Sequence, residues 1–138
     1  CNQLLDGHPA RINGDGKYIR DYVYGPDVAE ANLSALTLKK AHFREGEILY
    51  LNIGTGIGTD VNALEKNVRT QVEQLRANAG EKKSLPHPEY GPERVGDLRS
   101  NLLDPSRASD VLAWKPTHSL AEGLEATARW FFERKGSF

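Results

Sequence analysis

Between residues 61 and 79 the apolar side chains step by three or four: Val61, Leu64, Val68, Val72, Leu75 and Ala79. That spacing predicts a helix of about five turns with one buried stripe. Thr59 or Asp60 is placed to cap its start, and Gly80 stands where a C-terminal cap belongs. A second helical pattern runs from an N-cap at Asp27 to about Lys40, with Val28, Ala31, Ala35 and Leu38 widened by Leu33 and Leu36. A third, Leu120, Leu124, Ala128 and Phe131, follows Ser119-Leu120-Ala121-Glu122, which has capping-box spacing. Asp104-Pro105 opens a short helix that ends near Trp114-Lys115-Pro116.

The extended segments are fewer. Tyr18 to Tyr24 carries Ile19, Tyr22, Val23 and Tyr24, which suit a pleated surface, and follows the turn signal Gly14-Asp15-Gly16-Lys17. Ile48 to Ile53 is an apolar run of strand length, closed by Gly54-Thr55-Gly56-Ile57-Gly58. Strands separated by helices predict an α/β fold with a parallel sheet. A strand as apolar as 48–53 wants cover on both faces and neighbours on both edges. The chain supplies too few strands for that, so the sheet is expected to be incomplete. Residues 81–101, with Pro86, Pro88, Gly91, Pro92 and Gly96, read as an ordered loop carrying one edge strand. No repeat or linker divides residues 1–138, which read as one unit.

Charge narrows the partners. The 138 residues hold 18 Lys+Arg against 19 Asp+Glu, a net charge of −1, which argues against nucleic acid. No apolar run approaches the ~18 residues of a membrane span. One cysteine, Cys1, cannot close an internal disulfide, so a reducing, cytoplasmic setting is expected. His8, His42, His87 and His118 lack ligand spacing, and no metal site is expected. Methionine is absent and the chain begins at Cys1, a pattern that initiator removal, a processed precursor or an excised piece of a longer protein would each show.

Two features invite a chemical reading. Gly54, Gly56 and Gly58 follow a strand and open a helix, as a dinucleotide-binding turn does, but the spacing fails that fingerprint, and a tight strand-to-helix turn is the better reading. Arg20, beside Asp21 and Tyr22, is either half of a surface pair or a guanidinium aimed at a phosphate; Arg94 and Asp97 carry the same two readings.

Taken in order, four stretches resemble the C-terminal part of the UDP-glucose 4-epimerase group, in the extended short-chain dehydrogenase/reductase superfamily. They are Gly14 to Tyr24 with Asp27-Val28-Ala29-Glu30-Ala31; Leu51 to Thr59; Arg94, Gly96-Asp97, Asp104 and Ser106 to Ala108; and Leu112, Trp114-Lys115-Pro116, Leu120, Gly123-Leu124 and Trp130. The resemblance covers nearly the whole chain. Gly25-Pro26 departs from it, where the family usually continues the strand with a β-branched residue.

The resemblance implies an extended Rossmann-type fold, of which residues 1–138 would be the C-terminal, substrate-binding portion. It implies that Arg20 and Arg94 bind the diphosphate of a UDP-sugar, that Asp97 accepts from a ribose hydroxyl, and that Tyr22 packs near the same pocket. It implies that NAD is bound by an N-terminal portion absent here, and that the catalytic tyrosine and lysine also lie upstream, leaving no catalytic residue in this chain. The implied reaction interconverts UDP-glucose and UDP-galactose through NAD-mediated oxidation and re-reduction at C4. A related dehydratase, decarboxylase or other epimerase stays open, as does a non-catalytic nucleotide-sugar-binding module. The family commonly dimerises through its missing helices, so a homodimer of this chain would need another surface.

Overall fold

The computed structural model describes residues 1–38, 46–81 and 83–135. Its longest element is α3 (Val61–Asn78), started by the Asp60 carboxylate, which accepts the Ala63 amide at 2.7 Å. Of the two expected caps, Asp60 is the one used. The helix closes at Ala79, with Gly80 beyond it at φ +87°. α5 (Leu120–Glu133) begins with the expected capping box: the Ser119 hydroxyl accepts the Glu122 amide, and the Glu122 carboxylate accepts the Ser119 amide. These two helices pack together and enclose one core. Leu4 and Leu5 of α1 (Asn2–Leu5), Val72, Leu85 and Ala128 are buried there, flanked by Val68, Leu75, Phe131 and Phe132.

A second core joins α2 (Gly25–Leu36) to α4 (Ser106–Leu112). Ala31, Ala108 and Trp114 are buried in it, with Val23, Leu51, Ile53 and Leu112 around them. The predicted stripe of α2 is too wide. Ala31 is buried, but Leu33 and Leu36 are exposed, and the helix ends at Leu36 rather than Lys40, which lies outside the described residues.

The strands are short. β1 (Arg11–Asn13) pairs in parallel with β4 (Glu89–Gly91). β2 (Ile19–Asp21) lies between β3 (Gly58–Asp60), antiparallel, and β5 (Ser100–Asn101), parallel. The sheet is thus mixed where a parallel one was expected, and loop 81–101 contributes two strands rather than one. The turn between β1 and β2 puts Gly14 and Gly16 at φ +66° and +70°. A side chain at Gly16 would also strike Asn62, whose amide donates to the Gly16 carbonyl at 3.0 Å.

The run 48–53 is not a strand of either sheet. It alternates as a strand does, with Leu51 and Ile53 turned to the second core and Ile48 and Tyr50 exposed, yet it has no ladder partner among the described residues. Residue pattern can set that alternation; a ladder requires a second strand, and none lies beside it among the described residues.

Asp27 is the other correction. It sits in the first turn of α2, not at its cap, and is buried at 3% exposure. Its carboxylate accepts from the Thr117 hydroxyl (2.7 Å) and the His118 amide (3.2 Å), and the His118 ring Nδ1 lies 2.8 Å from it. Its carbonyl accepts from the Trp114 indole at 2.9 Å. One residue thereby ties α2 to the segment entering α5. Burial pushes the Asp27 pKa up, but the bonds from His118 and Thr117 outweigh it and hold it at about 2.

Replacing Asp27 with Ala removes the acceptor shared by the Thr117 hydroxyl and the His118 amide and ring, and is expected to cost about 1–2 kcal/mol in a urea unfolding experiment. A folded pKa below the unfolded ~3.9 stabilises the protein fully above that value. In the wild type this contribution is therefore expected to fade as pH falls from about 4 towards 2, and in Asp27→Ala that part of the acid dependence should vanish.

Candidate functional site

β2 presents its side chains to opposite faces. Arg20 opposes Thr59 across the antiparallel ladder and so shares a face with it, while Asp21, between Arg20 and Tyr22, turns the other way. Arg20 and Asp21 have distinct partners, and Tyr22 borders two clefts.

Arg20 reaches the loop before β5. Its Nη2 donates to Asp97 Oδ1 at 2.5 Å and its Nη1 to the Ile19 carbonyl at 2.7 Å. A guanidinium has five N–H donors, so the remaining ones face a partly exposed surface. The parallel pairing of β2 with β5 produces this contact, because it draws Arg99, the residue before β5, to the Ile19 amide (2.9 Å). Asp97 in turn closes a tight turn by donating its amide to the Arg94 carbonyl at 3.2 Å, with Gly96 at φ +81°. Arg94 is exposed on that turn. The Arg20–Asp97 ion pair and the Arg94 backbone therefore meet at one turn.

Asp21 plugs the glycine turn. Its carboxylate accepts from the amides of Thr55 (2.9 and 3.1 Å) and Gly56 (2.9 Å) and from the Thr55 hydroxyl (2.6 Å). Burial opposes its charge, but the Thr55 hydroxyl and amide and the Gly56 and Leu103 amides prevail and hold its pKa below the ordinary value. A side chain on Gly54 would come within 2.7 Å of the Asp21 carboxylate and about 3 Å of Leu103.

Tyr22 stands on the wall between two clefts. One, of about 350 Å³, is lined by Tyr22, Tyr24, Pro26, Leu64, Leu120 and Leu124. The other, of about 260 Å³, has Tyr22 with Thr55, Ile57, Thr59, Thr117 and His118. Burial raises the Tyr22 pKa, against the nearby Arg20 charge, so the phenol stays neutral and can donate at neutral pH.

Residues 2–127 match the family model described as GDP-mannose 4,6 dehydratase. The chain belongs to that family. It is 36% identical over 128 residues to a UDP-glucose 4-epimerase of Mycolicibacterium smegmatis, a match that covers 93% of this chain and 36% of the relative. The crystal structure of UDP-glucose 4-epimerase with UDP-glucose from Thermotoga maritima is 39% identical, with a TM-score of 0.74, covering 96% of this chain and 37% of that one. MoeE5 in complex with UDP-glucose and NAD is 30% identical, with a TM-score of 0.74, covering 96% and 39%. The fold is therefore the α/β fold of the extended short-chain dehydrogenase/reductase epimerases, and the chain spans little more than a third of the length of these relatives.

Within this member of the dehydratase and epimerase family, the residues singled out by sequence do not all meet. Arg20 and Asp97 are joined directly, and Arg94 belongs to the turn that Asp97 closes; Tyr22 lies in the neighbouring clefts. Asp97, expected to accept from a ribose, spends one oxygen on Arg20. Sequence reasoning offered Asp21 and Asp97 as near partners for Arg20 and Arg94 respectively; in the fold Asp97 binds Arg20 instead, and Asp21 binds the 54–58 turn. Arg99 was missed altogether. It carries no motif, and only the fold shows that it grips Asp15.

The glycine turn does not suit a dinucleotide. Its outward amides already hold the Asp21 carboxylate, an anion in the place a pyrophosphate would need. Among the described residues no helix is long and apolar enough to cross a membrane.

Gly54→Ala is expected to push Asp21 out of the turn and destabilise the chain by about 1–3 kcal/mol in chemical denaturation. Asp21→Asn, which keeps the size but sets an NH2 against amide donors, should cost about 2 kcal/mol.

Proposed function

We propose that this chain is the substrate-binding portion of a cytoplasmic nucleotide-sugar epimerase interconverting UDP-glucose and UDP-galactose, with Arg20 and Arg94 as its diphosphate clamp. The observation that supports the reading is the meeting of β2 with the 94–97 turn, where Arg20 binds Asp97 and the Asp97 amide binds the carbonyl of the exposed Arg94. Two cations approaching from separate segments give a diphosphate charge-assisted and often two-pronged hydrogen bonds. Asp97 orients Arg20 with one oxygen and keeps the other for a ribose hydroxyl. Tyr22, neutral at working pH, borders the same region and supplies a donor and an aromatic wall. UDP-sugar ligands in the structural relatives support this assignment.

NAD, which supplies hydride chemistry in such enzymes, is assigned to the part of the protein outside this chain, consistent with the plugged glycine turn and with NAD in the MoeE5 complex. The role of the residues described here is to hold the nucleotide firmly, so that a sugar held loosely can present either face. A 4,6-dehydratase on the same scaffold is the second reading, favoured by the name of the matching family.

Isothermal titration of the chain with UDP is expected to show weak binding, reduced about tenfold or more in Arg20→Ala and in Arg94→Ala. Equal affinity in all three proteins would overturn the clamp. The chain supplied with NAD and UDP-galactose is expected to give no UDP-glucose; measurable turnover would contradict the assignment of catalysis to other residues.

A further inference from the structure

Arg99 lies next to the clamp without belonging to it. Its guanidinium grips both oxygens of Asp15, Nη1 to Oδ1 at 2.9 Å and Nη2 to Oδ2 at 2.6 Å. It also stacks on the Tyr18 ring, 4.8 Å from the centroid, and reaches Glu93 at 4.0 Å. The Arg20 guanidinium stands 6.0 Å from the same ring. Asp15 is itself well anchored. Its carboxylate accepts the Lys17 amide at 2.9 Å, and its carbonyl accepts Asn62 Nδ2 at 2.9 Å at the start of α3. Asn62 is held in turn by the Tyr90 hydroxyl.

The segment that Arg99 terminates needs such an anchor. Residues 92–98 are all exposed. Among the described residues, their hydrogen bonds are the Asp97–Arg94 turn bond and the contact of Asp97 with Arg20. Nothing else in that hydrogen-bond set fixes where Arg94 and Asp97 stand. Arg99 does so from the end of the segment, with its carbonyl on β2 and its side chain on the 14–17 turn.

We infer that Arg99 is a positioning residue for the diphosphate clamp, holding the 92–98 segment so that Arg94 and Asp97 face Arg20. It acts through the two-pronged geometry of its bond to Asp15 rather than through its charge. A lysine there keeps the charge and loses the fork. The pair is about half exposed on both sides, so its loss changes global stability little.

The inference rests on the clamp reading, and UDP titration of the whole chain separates the two. Arg99→Lys is expected to weaken UDP binding about fivefold to tenfold while its Tm stays within a few degrees of wild type. The exchanged pair Asp15→Arg with Arg99→Asp is expected to recover affinity to within about threefold, because it restores the link with the cation on the other side. Undiminished binding in Arg99→Lys would overturn the inference. So would an exchanged pair that stays as weak as Arg99→Lys although its Tm is wild-type, since Arg99 would then touch the ligand itself. If Arg20→Ala and Arg94→Ala bind UDP as wild type does, the clamp reading fails instead; a wild-type chain that does not bind UDP overturns both.

Discussion

The Asp21 carboxylate seated in the 54–58 turn is the contact on which the architecture around β2 depends. Three backbone and hydroxyl donors from that turn converge on one side chain. Gly54 lets the backbone come close enough to seat it, since a side chain there would fall 2.7 Å from the carboxylate. The turn then delivers the chain directly into β3, which pairs with the very strand that carries Asp21. Because Asp21 is committed to one face of β2, its neighbours Arg20 and Tyr22 are committed to the other. An anion held on one face thus fixes which side chains stand on the other.

Asp27 does the same work at longer range. Its buried carboxylate and carbonyl gather Trp114, Thr117 and His118, and so fix the approach to α5 and the clefts beside Tyr22. Buried carboxylates are costly unless their lone pairs are answered by donors. Here the donors come from a segment roughly ninety residues away in sequence, which makes Asp27 a cross-brace between the two ends of the chain.

Helices with a complete local signature were legible. α3 has a capping residue, a stripe and a terminator within one window, α5 a capping box and a stripe, and Asp60, Ser119 and Glu122 act as their positions suggest. Elements whose identity depends on a distant partner were not. The 48–53 run has a strand's alternation but no neighbour, and β5 is a strand only because β2 lies beside it. The same division holds for the candidate site. Arg20, Arg94 and Asp97 stood out as chemistry; their pairing did not, because nearer acids in sequence pointed elsewhere. Arg99 gave no local sign at all, since its meaning lies in Asp15 and Tyr18, which are near it only in space.

The first and last helices share a single core. Leu4 and Leu5 pack with Ala128 across α3, and the Lys135 ammonium donates to the Leu5 carbonyl. Such contacts have nearly the greatest sequence separation the chain allows, and forming them requires a large loop-closure entropy to be met late. On a ribosome, where the chain emerges from its start, the back of α3 stays uncovered until α5 has been made. Arg20, Arg94 and Asp97 are all synthesised before then, so the strand contacts that join them are available to form before that core is closed.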